Sequence, residues 1–261
     1  MLIPSIGSIA LGALLAVCIA LPAWRAKVLT AGGAGAAVLV GATTWGVGGW
    51  PAALVLFAFF LPSTLLSRLG RARKQGLVDA GKLGPRDGRQ VLANGGVASL
   101  CVLASIHFGA PLAAAFAGAY AAASADTWAT EIGTLVRGLP RSILTFAPLP
   151  TGLSGGVTWQ GTLAQAGGAV CVALVAGGVH VAPVWPVALG GFAGALADSV
   201  LGASLQERRW CDPCGRVCET NPHACGAPTR LQRGYAWMNN DAVNWSATIV
   251  GALVAGALVA L

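Results

Sequence analysis

Long apolar runs alternate along this chain with short connections, and none shows the two-residue alternation of a barrel strand. About 20 apolar residues suffice to cross a bilayer as a helix. The runs predict eight spans, at 4–23, 30–47, 50–67, 90–107, 110–135, 159–180, 184–206 and 237–260. Several of them break the apolar pattern. Asp126 and Glu131 sit inside the run from Phe108 to Val136, Asn94 lies in the fourth span, and Asp198 and Ser199 lie in the seventh. Asn239, Asn240, Asp241 and Asn244 open the eighth. A charged side chain at bilayer depth costs at least about 2.5–3.5 kcal/mol, so such residues are expected to face the bundle interior and to meet in one polar site.

Composition agrees with the pattern. Of 261 residues, 56% are hydrophobic and only 10% charged, where soluble domains carry about 25% charged residues. Mean hydropathy is +0.71. The 37 glycines suit helices that approach closely through small faces. The expected fold class is all-α: a polytopic transmembrane helix bundle, a single membrane domain over 1–261 with no soluble domain. Two connections stand out, a basic loop at 68–89 and a Cys-rich loop at 207–236.

Charge fixes an expected orientation. All 16 Lys and Arg fall in 24–29, 68–89, 136–158 and 207–236, and with eight spans these connections share one side. The positive-inside rule makes that side cytoplasmic and both termini external, in the cell (inner or plasma) membrane. Met1 to Leu21 lacks the positive leader of a signal peptide, so it reads as the first span. Topology and lipid headgroups account for the net charge of +7, and no nucleic-acid partner is expected. In this topology the polar residues converge on the cytoplasmic boundary, where water-soluble reagents meet a lipid whose tail stays among the helices.

The residue types there suit phosphate and cation chemistry. Asp126, Thr127, Thr130 and Glu131 supply two carboxylates and two hydroxyls within about a turn and a half, and Thr127 and Glu131 share a face. Hard cations such as Mg²⁺ take oxygen ligands of this kind and bridge to phosphates; a helix-packing network is the plainer reading. Asp198 lies on a face of small residues with Gly191, Gly194 and Gly202, which explains close packing but not the acid. Asn240 and Asn244 share a face beside Asp241, and amides both donate to phosphate oxygens and support carboxylates. An N-cap alone needs one such residue. Arg86, Asp87, Arg89, Gln90 and Asn94 surround the start of the fourth span, where backbone N–H groups beside Arg form a phosphate cradle, although no Walker A order occurs. The segment 151–161 is a Gly/Ser/Thr-rich stretch placed to cover the site.

Cys211, Cys214, Cys218 and Cys225 follow C-x2-C-x3-C-x6-C, with His223 in the last interval. In a reducing compartment, four thiolates, or three with His223, are candidates for tetrahedral Zn²⁺. Cys18, Cys101 and Cys171 lie in apolar spans and read as packing residues.

Five motifs together resemble the DUF92 integral membrane proteins, a family that includes plant chloroplast phytyl-phosphate kinases. They are Arg86-Asp-Gly-Arg-Gln-Val-Leu-Ala-Asn-Gly95, Ala123-Ser-Ala-Asp-Thr-Trp-Ala-Thr-Glu-Ile-Gly133, Gly155-Gly-Val-Thr-Trp-Gln-Gly161, Ala197-Asp-Ser-Val-Leu-Gly202 and Asn240-Asp-Ala-Val-Asn244. The resemblance implies a membrane transferase that phosphorylates an isoprenoid monophosphate with a nucleoside triphosphate (CTP or ATP) and Mg²⁺. On that basis Asp126, Glu131, Asp198 and Asp241 are expected to hold Mg²⁺ and to be catalytic. Arg86, Asp87, Arg89, Gln90, Asn94, Thr127, Ser199, Asn240 and Asn244 are expected to bind substrate and its phosphates. The same residues would serve a CTP-dependent cytidylyltransferase acting on a lipid phosphate. An ion-coupled transporter, the other alternative, expects pseudo-symmetric halves and midplane acids, and the chain shows neither. Oligomeric state stays open.

Overall fold

The computed structural model describes residues 5–69, 84–136 and 138–261. Arg71, Arg73, Lys74, Lys82 and Arg137, counted above on the basic side, lie outside the described residues, as does most of the basic loop. The apolar runs form α1 (Ile6–Arg25), α2 (Ala31–Leu69), α3 (Gly88–Phe108), α4 (Ala110–Leu135), α5 (Trp159–Gly178), α6 (Val184–Ser204) and α7 (Asn240–Ala260). The second and third predicted spans become one element, α2, whose two helical arms meet at Gly49. There φ is 64° and ψ −160°, a region essentially reserved for glycine, and Pro51 follows at the start of the second arm.

The bundle is built around α4, which packs against α2, α3, α5, α6 and α7. Every residue from Ala113 to Ala125 is buried. Six of the described helices are long and apolar enough to cross a membrane, and α4 is the one outside that group. Its neighbours shield it from lipid, so it can be built of Ala, Gly and Ser, which allow close approach. A Cβ on Gly194 would strike Ala122 and the Ala247 carbonyl, which leaves α4, α6 and α7 nearly in backbone contact. Phe59 stacks on Tyr120 at 5.7 Å, and Phe116 meets the same ring edge-on at 5.2 Å, anchoring the second arm of α2 to α4. Leu54, Leu65, Leu100, Leu163, Leu174 and Leu253 lie exposed on the outside, the surface that lipid covers.

The connections hold more regular structure than an all-α reading anticipates. Strand β1 (Arg141–Ser142) pairs antiparallel with β2 (Gly156–Val157). In the Cys-rich connection β3 (Arg208–Cys211) lies between β4 (Arg216–Cys218) and β5 (Arg230–Arg233), antiparallel to both. A helical bundle with two small sheets at its connections replaces the expectation of plain loops there.

Candidate functional site

The polar residues reach their places because helix starts are fixed locally. The Asp87 carboxylate accepts the Gln90 N–H at 2.9 Å and caps α3. Asn239 caps α7 through the Ala242 N–H at 3.1 Å, and Thr158 caps α5 through the Gly161 N–H at 3.0 Å. Just before α3, the Arg86 N–H donates to the Val28 carbonyl at 2.9 Å, and its own carbonyl accepts the Thr30 N–H at 3.0 Å. Only a glycine at position 33 leaves room for that carbonyl. Arg86 is thereby pinned against the connection between α1 and α2.

These starts surround a cavity of about 580 Å³. Its wall carries Arg86, Gln90 and Asn94, Asp126, Thr127 and Glu131, Asp198 and Ser199, and Asn240 and Asn244. Ten of the thirteen residues the sequence nominates therefore share one cavity. Asp87, Arg89 and Asp241 are not on that wall. Asp87 is exposed and engaged as the cap, and Arg89 is exposed one residue past Gly88. Asp241 lies about 100° around α7 from Asn240, whereas Asn244, four residues on, returns to the same face.

Sequence reasoning missed part of the wall. Lys27, Thr64, Ser67, Arg68 and Gln165 line the cavity without having been singled out, and Thr130 and the whole segment 151–158, both noted in the sequence, line it too. Ser67 donates to Glu131 Oε1 at 2.9 Å and accepts from the Arg86 guanidinium at 3.4 Å, so a hydroxyl relays between base and acid. Burial pushes the Arg86 guanidinium below its ordinary value, and the Glu131 charge opposes the shift. Thr127 donates to the Ala123 carbonyl at 2.8 Å and Ser199 to the Ala195 carbonyl at 3.3 Å. With those protons committed to the backbone, the hydroxyl oxygens keep lone pairs for a ligand. The three acids line one cavity without closing into a compact cage of ligand atoms; among the described residues only the cysteine cluster does that. An open set of carboxylates and hydroxyls suits a hard cation that shares its shell with water and ligand phosphates.

A second cavity, of about 340 Å³, lies beside the first between α1, α2, α3 and α4. Leu15, Ile19, Trp45, Leu56, Phe60 and Tyr120 give it an apolar wall. Phe59, Arg86, Gln90 and Asn94 line both cavities, so a polar chamber and an apolar one share a boundary.

At the Cys-rich sheet, Cys211, Cys214, Cys225 and His223 bring ligand atoms within 4.8 Å of one another, a group able to hold a metal ion. This selects three thiols with His223 from the two sets the spacing allowed. Cys218 is buried on β4, its sulfur 3.8 Å from the Thr220 carbonyl; it pairs with Arg209, whereas Arg216 pairs with Cys211, so it stands two residues farther along the strand from the β3–β4 turn where Cys214 sits. A hydrogen bond with His223 is the main reason the Cys225 thiol is held down at about 6, while hydrogen bonding to Cys225 raises Cys214 to about 11.

The family model described as integral membrane protein DUF92 matches residues 14–252. Protein PGR of Arabidopsis thaliana is 32% identical over 221 residues, 73% of this chain and 75% of that protein. An uncharacterized membrane protein of Synechocystis is 28% identical over 238 residues, 88% of this chain and 82% of its own length. Protein VTE6, chloroplastic, of Arabidopsis thaliana is 26% identical over 240 residues, 87% of this chain and 64% of that protein. No solved structure matches the chain.

Proposed function

The chain belongs to the DUF92 family of integral membrane proteins, and from that premise we propose that it transfers the terminal phosphoryl group of a nucleoside triphosphate to an isoprenoid monophosphate, giving the diphosphate. The observation that supports this most is the shared wall of the two cavities. An amphiphile with a phosphate head and a hydrocarbon tail fits a polar chamber opening beside an apolar one, with Arg86, Gln90 and Asn94 at the junction. The isoprenoid substrate is what the resemblance of the five motifs to the family's plant phytyl-phosphate kinases implies.

In this reading Arg86, with Lys27 and Arg68, binds phosphate oxygens, and Asn94, Asn240 and Asn244 orient them. Asp126, Glu131 and Asp198, with the Thr127 and Ser199 hydroxyls, fit Mg²⁺, since all are hard oxygen donors. When bound, the ion supplies charge neutralisation across the transferring group. An oxygen of the prenyl monophosphate attacks the terminal phosphorus of the nucleotide. The bond to the bridging oxygen breaks, and the nucleoside diphosphate leaves with that electron pair. The attacking oxygen is already anionic, so no general base is required, and positioning and electrostatics carry the catalysis. Segment 151–158 limits the access of water. We take the cavity end of the bundle as cytoplasmic, with α2 crossing twice and both termini external, because Arg25, Lys27, Arg68, Arg86 and Arg89 cluster at these helix ends.

The test is to give the purified protein a panel of prenyl monophosphates with ATP, CTP, GTP or UTP and Mg²⁺, and to identify the lipid products by mass. Magnesium-dependent prenyl diphosphate is the expected product. Nucleotide-linked lipid would make the protein a cytidylyltransferase-type enzyme instead, and nucleotide hydrolysis without lipid product would overturn the assignment.

A further inference from the structure

We propose that Cys211, Cys214, His223 and Cys225 bind a tetrahedral Zn²⁺, and that the sheet this ion staples holds the segment 151–156 over the cavity through Glu219.

The donor set is preassembled. Cys211 Sγ lies 3.6 Å from Cys225 Sγ, and His223 Nδ1 lies 3.1 Å from Cys225 Sγ. Sulfur ligands at about 2.3 Å around a tetrahedral zinc stand roughly 3.8 Å apart, and a sulfur–nitrogen pair somewhat less. Cys211 is at the end of β3, Cys214 is in the β3–β4 turn before Gly215, and His223 and Cys225 are in the connection to β5. One ion would therefore tie all three strands. With Nδ1 on the metal, Nε2 carries the proton, so the exposed Arg216 side chain, 3.2 Å from Nε2, swings to solvent.

The sheet also needs such a staple. It has three strands of three or four residues, and β5 is exposed along its whole length. Sheets this small do not bury enough apolar surface to hold themselves together. The interior it does have is built largely of Cys211, Cys218 and His223, two of them ligands.

Glu219 follows Cys218 at the end of β4 and turns away from the cluster toward the bundle. Its Oε1 accepts the Ser154 N–H and its Oε2 the Ser154 hydroxyl, both at 2.7 Å. Gln206 donates to Oε2 at 3.2 Å, and Arg208 reaches the Ser154 carbonyl at 3.5 Å. Ser154 and its neighbours line the cavity, and Gly155, at φ +80°, lies directly against the Ala203 backbone on α6. A buried carboxylate with two charge-assisted bonds to one loop residue transmits the position of the sheet to the cavity wall. The inference rests on the reading above only in taking that cavity as the reaction site.

The test uses the full-length protein in detergent and does not depend on activity. Metal analysis should find one zinc per chain, and Co²⁺ substitution should give the absorption of a tetrahedral thiolate–imidazole site. C214S should lose the metal. Removing zinc from the intact protein should speed hydrogen exchange in 151–158 at least tenfold, and Glu219→Gln should do the same with zinc retained. Absence of zinc, a Cys211–Cys225 disulfide, or unchanged exchange on removing the metal would overturn the proposal. None of these results bears on whether prenyl phosphate is the substrate, so the two readings fail separately.

Discussion

Two groups of ligand side chains in this protein differ in how finished they are. The thiol–imidazole group at the sheet brings its donor atoms within 4.8 Å of one another, closed and complete. The acids of the membrane cavity share a space of about 580 Å³ without converging on a point. Closed sites of four protein ligands are structural, whereas reacting sites leave positions for substrate and water. On the proposed function the sheet belongs to architecture and the cavity to chemistry, a division that can be broken by experiments that strip or alter each group separately.

The largest effect is expected at the cavity acids. Asp126→Asn and Asp198→Asn keep shape and remove charge, so each should lower prenyl diphosphate formation on the order of 10³-fold, about 4 kcal/mol of barrier. The bundle should still fold, read as an unchanged thermal transition. Wild-type turnover in either purified variant would take that residue off the catalytic list.

Chelation should separate the two groups next. Brief EDTA treatment should abolish transfer, and Mg²⁺ alone should restore it, because an open site exchanges its ion with solvent. Zinc at the sheet should survive the same treatment. If activity returned only with Zn²⁺, the division of labour would be reversed. C214S, by contrast, should lower the unfolding midpoint by roughly 5 °C and reduce transfer only in part.

The legible and the illegible portions of the fold divide along similar physical lines. Span boundaries could be read to within two or three residues, as with 184–206 against Val184–Ser204, because apolar length is a local property. The kink that merges two spans was signalled by Gly49 and Pro51. Acids and amides inside apolar runs pointed to the cavity, since bilayer depth makes each of them conspicuous. Lys27, Ser67 and Arg68 went unread because a cation or hydroxyl at a helix end looks like topology or capping. The β3–β4–β5 sheet and the bond from Glu219 to Ser154 depend on partners distant in sequence, for which a single chain carries no periodic signal. Asp87 shows the opposite error: a polar residue in the right segment that serves the helix start instead of the cavity.

Two arginines near one another in sequence give the smallest and most discriminating comparison. Arg86 lines both cavities and touches Ser67 at 3.4 Å, whereas Arg89 is exposed and lines neither. Arg86→Ala should raise KM for the prenyl phosphate by roughly ten- to a hundredfold, the loss of a charge-assisted contact worth about 1.5–3 kcal/mol. Arg89→Ala should change KM by less than about twofold, as for an exposed charge far from the bound group. Steady-state kinetics on the two variants, side by side, decides between them. Equal effects would mean that general basicity at this end of the bundle attracts the anion. A large effect at Arg86 alone would mean that the junction of the two cavities is where the phosphate head is held, with its hydrocarbon tail lying between α1 and α2.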